Sequence, residues 1–228
     1  MIEEDPNLSH LTDYDTRATI GQALSRGEAR SVRETPPHYH DLDAVLATAW
    51  GCLAAGATNR RSGFHTANVA SIRPDGWPSL RTVVLRQFKS ETREIAFHTD
   101  TRSRKFAEIA ANPRIAVHFY DAQKKIQMRL DCLARIDTQN SASEAAWQAS
   151  RPMSRACYAQ GHAPGSRIEN GADAALHWLN EDAASRNFAV VTARIEALDW
   201  LYLAALGHRR ALFRWDADGT CDKSWLAP

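Results

Sequence analysis

The sequence predicts a mainly β domain with flanking helices, of the α+β class, over residues 41–228, behind a leader of residues 1–40 that is loose or partly helical. Three observations lead there. Period-two runs fill residues 64–136 and return after residue 187, a helical pattern precedes the first of them, and another helical stretch, about 140–187, interrupts them. Because β pattern brackets that insertion on both sides, one domain is favoured over two. With 44% hydrophobic residues, 228 residues suffice for a substantial core.

The leader carries little periodicity and contains Pro36 and Pro37. From Asp41, "DLDAVLATAWGCLAAG" sets Leu42, Val45, Leu46, Ala49 and Leu53 on one helical face, with Gly56 at a C-cap position. "FHTANVASI", the turn "RPDG" and "WPSLRTVVLRQF" read as a hairpin of two strands. "EIAFHT" is a third strand, and the helix after it stops at Asn112 and Pro113. "RIAVHFYD" and "KIQMRLDCLARI" continue a mostly antiparallel sheet or barrel. In the second of these, Ile126, Met128 and Leu130 share one face, and Gln127, Arg129 and Asp131 share the other. The insertion is helical around Trp147, Trp178 and Leu179 and is broken by "GHAPGS"; strands then resume through "FAVVTARIEALDWLYLAAL", "RRALFRWDADG" and "DKSWLAP".

Composition excludes several classes. Lys and Arg number 28 against 27 Asp and Glu, so no whole-surface field points to nucleic acid or to an anionic membrane. Four scattered cysteines without a C-x-x-C pair argue against a zinc ribbon or a redox dithiol. The acidic, polar N-terminus differs from a secretion signal, and the longest apolar run is too short to cross a bilayer, so a soluble cytoplasmic protein is expected. His38 and His40 have the spacing of two metal ligands on one strand but lack a third, so no metal is assigned. No Ser-His-Asp, Cys-His or paired-carboxylate arrangement suggests hydrolysis.

One segment conflicts with helix electrostatics. In "HTDTRSRKFAEIAANP", Arg102, Arg104 and Lys105 stand where a helix begins, the end that disfavours cations. An anion held between the free N–H groups of the first turn and these side chains removes the conflict. Nearby, alternation in "RTVVLR" sets Arg81, Val83 and Leu85 on one face and Thr82, Val84 and Arg86 on the other. A phosphate held by Arg81, Arg104, Lys105 and the Thr99 hydroxyl is the expectation. The rest of such a ligand, a flat heteroaromatic ring, suits β-backbone and apolar side chains with a few polar groups at its edge; Gln127 could supply an amide, with Trp200 and Arg210 in a later sheet segment, although Gln127 alone is more often a solvated strand residue and Trp200 more often simple core.

The ordered segments "RTVVLR", "FHT", "SRK", "NPRIAVHFY", "IQMRL", "SRP" and "WLAP" resemble the pyridoxamine 5′-phosphate oxidase family and its related flavoproteins. The resemblance runs from about residue 41 to the C-terminus. It implies an FMN-binding split β-barrel, a homodimer with FMN at the subunit interface. It implies cofactor contacts from Arg81, Thr82, Val83, Val84, Leu85 and Arg86, from His98 and Thr99, and from Arg104 and Lys105. Gln127, Ser166, Trp200 and Arg210 would complete that site from the second subunit. Substrate contacts are implied at Arg86, Trp147, Arg151, Arg155 and His208.

The substrate positions depart from the family pattern. Arg86 replaces a lysine, Trp147 a tyrosine and Arg155 a serine, while Leu206 falls on an arginine and Trp225 on another in the closing motif. The expected activity is therefore an FMN-dependent oxidation of an amine or alcohol with oxygen, pyridoxamine or pyridoxine 5′-phosphate being the first substrates to consider. The alternative is a non-catalytic split barrel that binds flavin or haem.

Overall fold

Asp41 opens the first helix: its carboxylate accepts a hydrogen bond from the Ala44 amide at 2.8 Å and satisfies one of the orphan donors of the first turn. Helix α1 then runs Leu42–Thr58 and buries Val45, Ala49 and Leu53, with Leu42 and Leu46 partly covered. Gly56 is not the C-cap; the helix continues to Thr58 and Asn59 ends it. The glycine is needed for a different reason. A Cβ there would stand 2.3 Å from the Phe64 carbonyl oxygen, so its absence lets the chain entering the first strand cross the helix closely.

The computed structural model describes residues 34–171, 180–205 and 207–228, and Pro36–Pro228 form one unit. Trp178, Leu179, Leu206 and most of the leader lie outside the described residues. Within the leader, Pro37–His40 form a short 3-10 turn whose Tyr39 ring packs edge-on against Trp200 and Tyr202, each at 4.9 Å between centroids.

Nine strands are described: β1 (Thr66–Ile72), β2 (Pro78–Val84), β3 (Gln87–Lys89), β4 (Glu94–Asp100), β5 (Arg114–Asp121), β6 (Ile126–Asp137), β7 (Phe188–Tyr202), β8 (Arg209–Trp215) and β9 (Cys221–Leu226). They form one sheet in the order β2-β1-β5-β6-β7-β4-β3, with β8 beside β7 and β9 beside β8, every pair antiparallel. The long β7 pairs β6 along most of its length, β4 through its first half and β8 through its second. A register shift at Asp131/Cys132 marks where β6 and β7 bend to curl the sheet.

"WPSLRTVVLRQF", expected as one strand, is two. At its break the Leu85 amide donates to the His65 carbonyl at 2.9 Å, and the Arg86 amide donates to the Ala96 carbonyl at 2.8 Å. The chain thus passes from the β1 edge to the β4 edge within two residues, because the partner of a continuing strand changes there.

The curled sheet encloses Phe64, Val69, Val117, Phe119, Met128, Leu130, Leu198, Trp200 and Phe213, with α1 packed against one end. Four further helices are described: α2 (Arg104–Ala111), α3 (Ser141–Ala149), α4 (Pro152–Arg155) and α5 (Glu181–Arg186). Helices α3 and α5 and the chain after α4 share a second, smaller apolar cluster of Trp147, Ala159, Ala184, Phe188 and Val190 on the β4–β7 face.

Candidate functional site

The start of α2 is capped by Ser103, whose hydroxyl oxygen accepts from the Phe106 amide at 3.4 Å and donates to the Asp100 carbonyl at 2.7 Å. Of the three cations there, Arg102 is neutralised locally. Its Nε and Nη2 reach the two Asp100 oxygens at 3.0 and 2.7 Å, and its Nη1 donates to the Gln160 carbonyl at 2.9 Å. Part of the electrostatic conflict is therefore resolved within the chain. Arg104 is exposed, while Lys105 is half-buried and makes no hydrogen bond or ion pair among the described residues. Burial first, and then the Arg81 charge, push the Lys105 ammonium below its ordinary range, with Asp100 and Glu108 opposing them.

Arg81 leaves the inward face of β2 and reaches Glu108 of α2 at 2.7 Å. It also donates to the Ser71 and Ser79 hydroxyls, and Ser71 donates to the same Glu108 oxygen at 2.6 Å. Burial alone would raise the Glu108 carboxyl, but the bonds from Ser71 and Arg81 and the Arg81 charge outweigh it and hold the group below the usual carboxylate range. Thr99 departs from expectation. It is 2% exposed and its hydroxyl is engaged with the Ser103 hydroxyl, at 3.1 Å.

A second feature lies beside β4, a cleft of about 700 Å³. Arg86, His98 and Arg151, all singled out in the sequence, line it together with Arg60, Arg61 and His65. His98 sits edge-on to Phe188 at 4.7 Å. Burial, reinforced by the Arg86 charge, pushes its imidazole down to about 4, so it is neutral at physiological pH.

A third lies on the outer face of the sheet, a groove of about 400 Å³ lined by Asn68, Leu80, His118, Arg129, Asp199 and Arg210, among others. Asp199 accepts from Arg210 at 2.7 and 3.0 Å and from Arg129. Its carboxyl is held below the usual range by these bonds against the effect of burial. Gln127 stands on the same face, in register with Tyr120 and Leu201, and the Thr82 hydroxyl donates to Asn68 at 2.9 Å.

Several expected positions are placed elsewhere. Val83 and Leu85 point into the core, and Trp200 is fully buried with its ring among core residues. The alternation of β7 puts Asp199 on the groove face and Trp200 inside, so Asp199 is a groove residue that sequence reading missed. Trp147 is 4% exposed and packs on Phe188 at 5.3 Å. Arg155 covers the Trp147 ring at 5.4 Å and is bonded to the Ser150 and Gln148 carbonyls and to Glu181. The Ser166 hydroxyl donates within its own turn to Ala163, and His208 Nδ1 accepts from the Ala204 amide at 3.1 Å in the β7–β8 turn. None of these four lines the cleft or the outer groove. Among the described residues no group of three or more His, Cys, Asp or Glu side chains is placed to hold a metal ion.

The family described as "Pyridoxamine 5'-phosphate oxidase, FMN-binding domain" matches residues 48–138. A pyridoxine/pyridoxamine 5′-phosphate oxidase of Chromobacterium violaceum is 30% identical over 172 residues, 71% of this chain and 78% of that protein. One from Rubrobacter xylanophilus is 37% identical over 95 residues, and that match spans 42% of the relative's length. Among solved structures, a pyridoxamine 5′-phosphate oxidase-related, FMN-binding protein of Nostoc punctiforme superposes with a TM-score of 0.68 at 20% identity, covering 86% of this chain and all of that one. The curled sheet with its flanking helices is therefore the split barrel of these FMN-binding proteins. The chain belongs to the pyridoxamine 5′-phosphate oxidase family.

Proposed function

We propose that this chain is an FMN-dependent oxidoreductase that oxidises a small amine or alcohol with oxygen as acceptor. One observation carries the reading. Lys105 is half-buried beside Arg81 with no ion pair among the described residues, and next to it stands the unpaired Arg104. A cation removed from water without a partner is costly, and a phosphate dianion offsets that cost. Arg81, Arg104 and Lys105 would hold the FMN phosphate, with Glu108 fixing the direction of the Arg81 fork.

When bound, FMN supplies a hydride acceptor. The chain's own part is to bind and orient. Arg86 and Arg151 in the cleft would take an anionic group of the substrate, and His98 offers a neutral ring edge there, not a charge. Gln127 and Arg210 lie on the outer face, where Leu80 is 69% and Tyr120 48% exposed. A second copy covering that face would bring Gln127 and Arg210 to its partner's flavin, which supports a homodimer. Among the described residues no helix is long and apolar enough to cross a membrane, and Cys52, Cys132, Cys157 and Cys221 are all unpaired, in keeping with a cytoplasmic setting.

A non-catalytic flavin binder is the second reading, favoured by the commitment of Trp147, Arg155 and His208 to packing and turn structure. Two measurements separate the possibilities. Arg104→Ala with Lys105→Ala is expected to weaken FMN binding at least about a hundredfold, roughly two charge-assisted contacts; unchanged affinity removes the phosphate assignment. Steady-state assays of the FMN-loaded protein with both B6 phosphates then decide between oxidase and binder.

A further inference from the structure

The cleft carries more positive charge than a single phosphate requires. This point rests on the reading that the cleft is the substrate site. Arg86 and Arg151 already supply two cations there, and Arg60 and Arg61 add two more from the turn after α1. That turn is fixed at several points. The Asn59 side chain accepts from the Arg61 amide at 2.9 Å, the Ser62 amide donates to the Asn59 carbonyl at 3.0 Å, and the His65 ring bonds the Gly56 carbonyl at 2.8 Å. The two arginines therefore project from a held platform.

No Asp or Glu lines the cleft, and none of its four arginine side chains has a hydrogen bond or ion pair among the described residues. Elsewhere Arg73, Arg81, Arg102, Arg129, Arg135, Arg155, Arg194 and Arg210 each pair with a carboxylate, while Arg93, Arg104, Arg114 and Arg214 pair with none among the described residues; the cleft differs in gathering four exposed guanidinium groups around one opening. Like charges gathered without counter-charge repel one another, most strongly where low-dielectric walls focus the field. Ala57, Ala96, Ala146, Ala149 and Val190 provide such walls. A ligand with one phosphate balances two of the four guanidinium groups.

We propose that the cleft accepts a small molecule with two separate anionic groups, one held by Arg86 and Arg151 and the other by Arg60 and Arg61. A phosphate or phosphonate joined to a carboxylate by a short frame is the chemical class. The cleft volume lies within the range of small-molecule sites.

The test is a calorimetric titration of the FMN-loaded protein with methylphosphonate, which has one anionic group, and with phosphonoacetate, 3-phosphonopropionate and 4-phosphonobutyrate, which have two at increasing spacing. At least one of the three is expected to bind about tenfold or more tighter than methylphosphonate. Arg60→Ala with Arg61→Ala should abolish that advantage, lower methylphosphonate affinity less than that of the two-group probes, and leave flavin content unchanged. Arg86→Ala with Arg151→Ala should weaken all four probes. The proposal is overturned if no two-group probe exceeds methylphosphonate, if the advantage survives loss of Arg60 and Arg61, or if a single-stranded oligonucleotide displaces the probes. A protein that takes up no FMN would sink the oxidoreductase reading, while the same titration on that protein still decides the two-anion cleft.

Discussion

The Arg81 guanidinium lies 2.7 Å from a Glu108 carboxylate that is 3% exposed, so the strand that leads into the proposed phosphate site and the helix that begins it are joined by one charge pair. The pair fixes the guanidinium plane and cancels much of its charge, leaving the net positive charge of the site to Arg104 and Lys105. Removing one partner of a buried pair leaves the other uncompensated. Arg81→Ala is expected to cost about 3 kcal/mol, a fall in melting temperature of roughly 6–12 °C for a chain of this size. Glu108→Gln, which keeps an acceptor for Ser71 and for Arg81, should cost less. A thermal melt in which the two variants fall equally would mean that the ion pair is not what the helix leans on.

The acid limb of stability has two parts with the same sign. His98 titrates near 4 in the folded chain against an ordinary 6.5, so between those values the unfolded state binds the extra proton and stability falls as pH falls. Glu108 and Asp199 have depressed folded pKa values, and their contribution is present above the ordinary carboxylate range and lost below it. Denaturant unfolding should therefore weaken progressively from about pH 6.5 downward. His98→Gln should flatten the upper part of that decline. An NMR titration showing the His98 ring protonating near 6.5 would contradict this account.

If Arg104 and Lys105 act on a phosphate, they should not distinguish flavins that lack one. Loss of both side chains is expected to bring FMN affinity at least about a hundredfold closer to that of riboflavin, with Arg81 keeping a residual phosphate preference, while changing riboflavin affinity by less than about twofold. Fluorescence quenching titrations with the two flavins measure this directly. Equal loss for both would place the two cations away from the phosphate.

Arg155 bonds the carbonyls of Gln148 and Ser150 and pairs with Glu181, so it ties the end of α3 to the start of α5. Arg155→Ala should destabilise the chain by about 1–3 kcal/mol through the orphaned carbonyls and the uncovered Trp147 ring. Affinity for cleft ligands should change less than with Arg151→Ala. A larger effect on ligand affinity than on the melting temperature would return Arg155 to the substrate site.

Much of this arrangement was legible in the sequence, for identifiable reasons. Alternation sets Arg81 and Arg86 on opposite faces, and burial follows it through Leu85, although Arg86 itself lies in the break between β2 and β3. The Ser103 cap and the Asn112 stop bound a short helix whose cations were visible by position alone. What escaped depends on partners distant in sequence. The family resemblance implies a cofactor contact for Trp200, yet only the pairing of β7 with β6 and β8 decides that its neighbour Asp199 meets Arg129 and Arg210. Glu108 carries no local sequence signal of its role because the arginine that it meets is 27 positions away. Gly56 resembled a cap because local pattern carries no sign of the Phe64 backbone that crosses it.

The two-residue crossing at Leu85 and Arg86 has a dynamic consequence. Both sheet edges are tied there by the amides of adjacent residues, and the second of these residues also presents its side chain to the cleft. The two bonds act in series between the edges, so breathing that parts the edges breaks one or the other, and each amide proton should exchange with deuterated solvent at its own rate. An anion that immobilises the Arg86 side chain would slow both, making this dipeptide a built-in reporter that couples occupancy of the cleft to closure of the barrel.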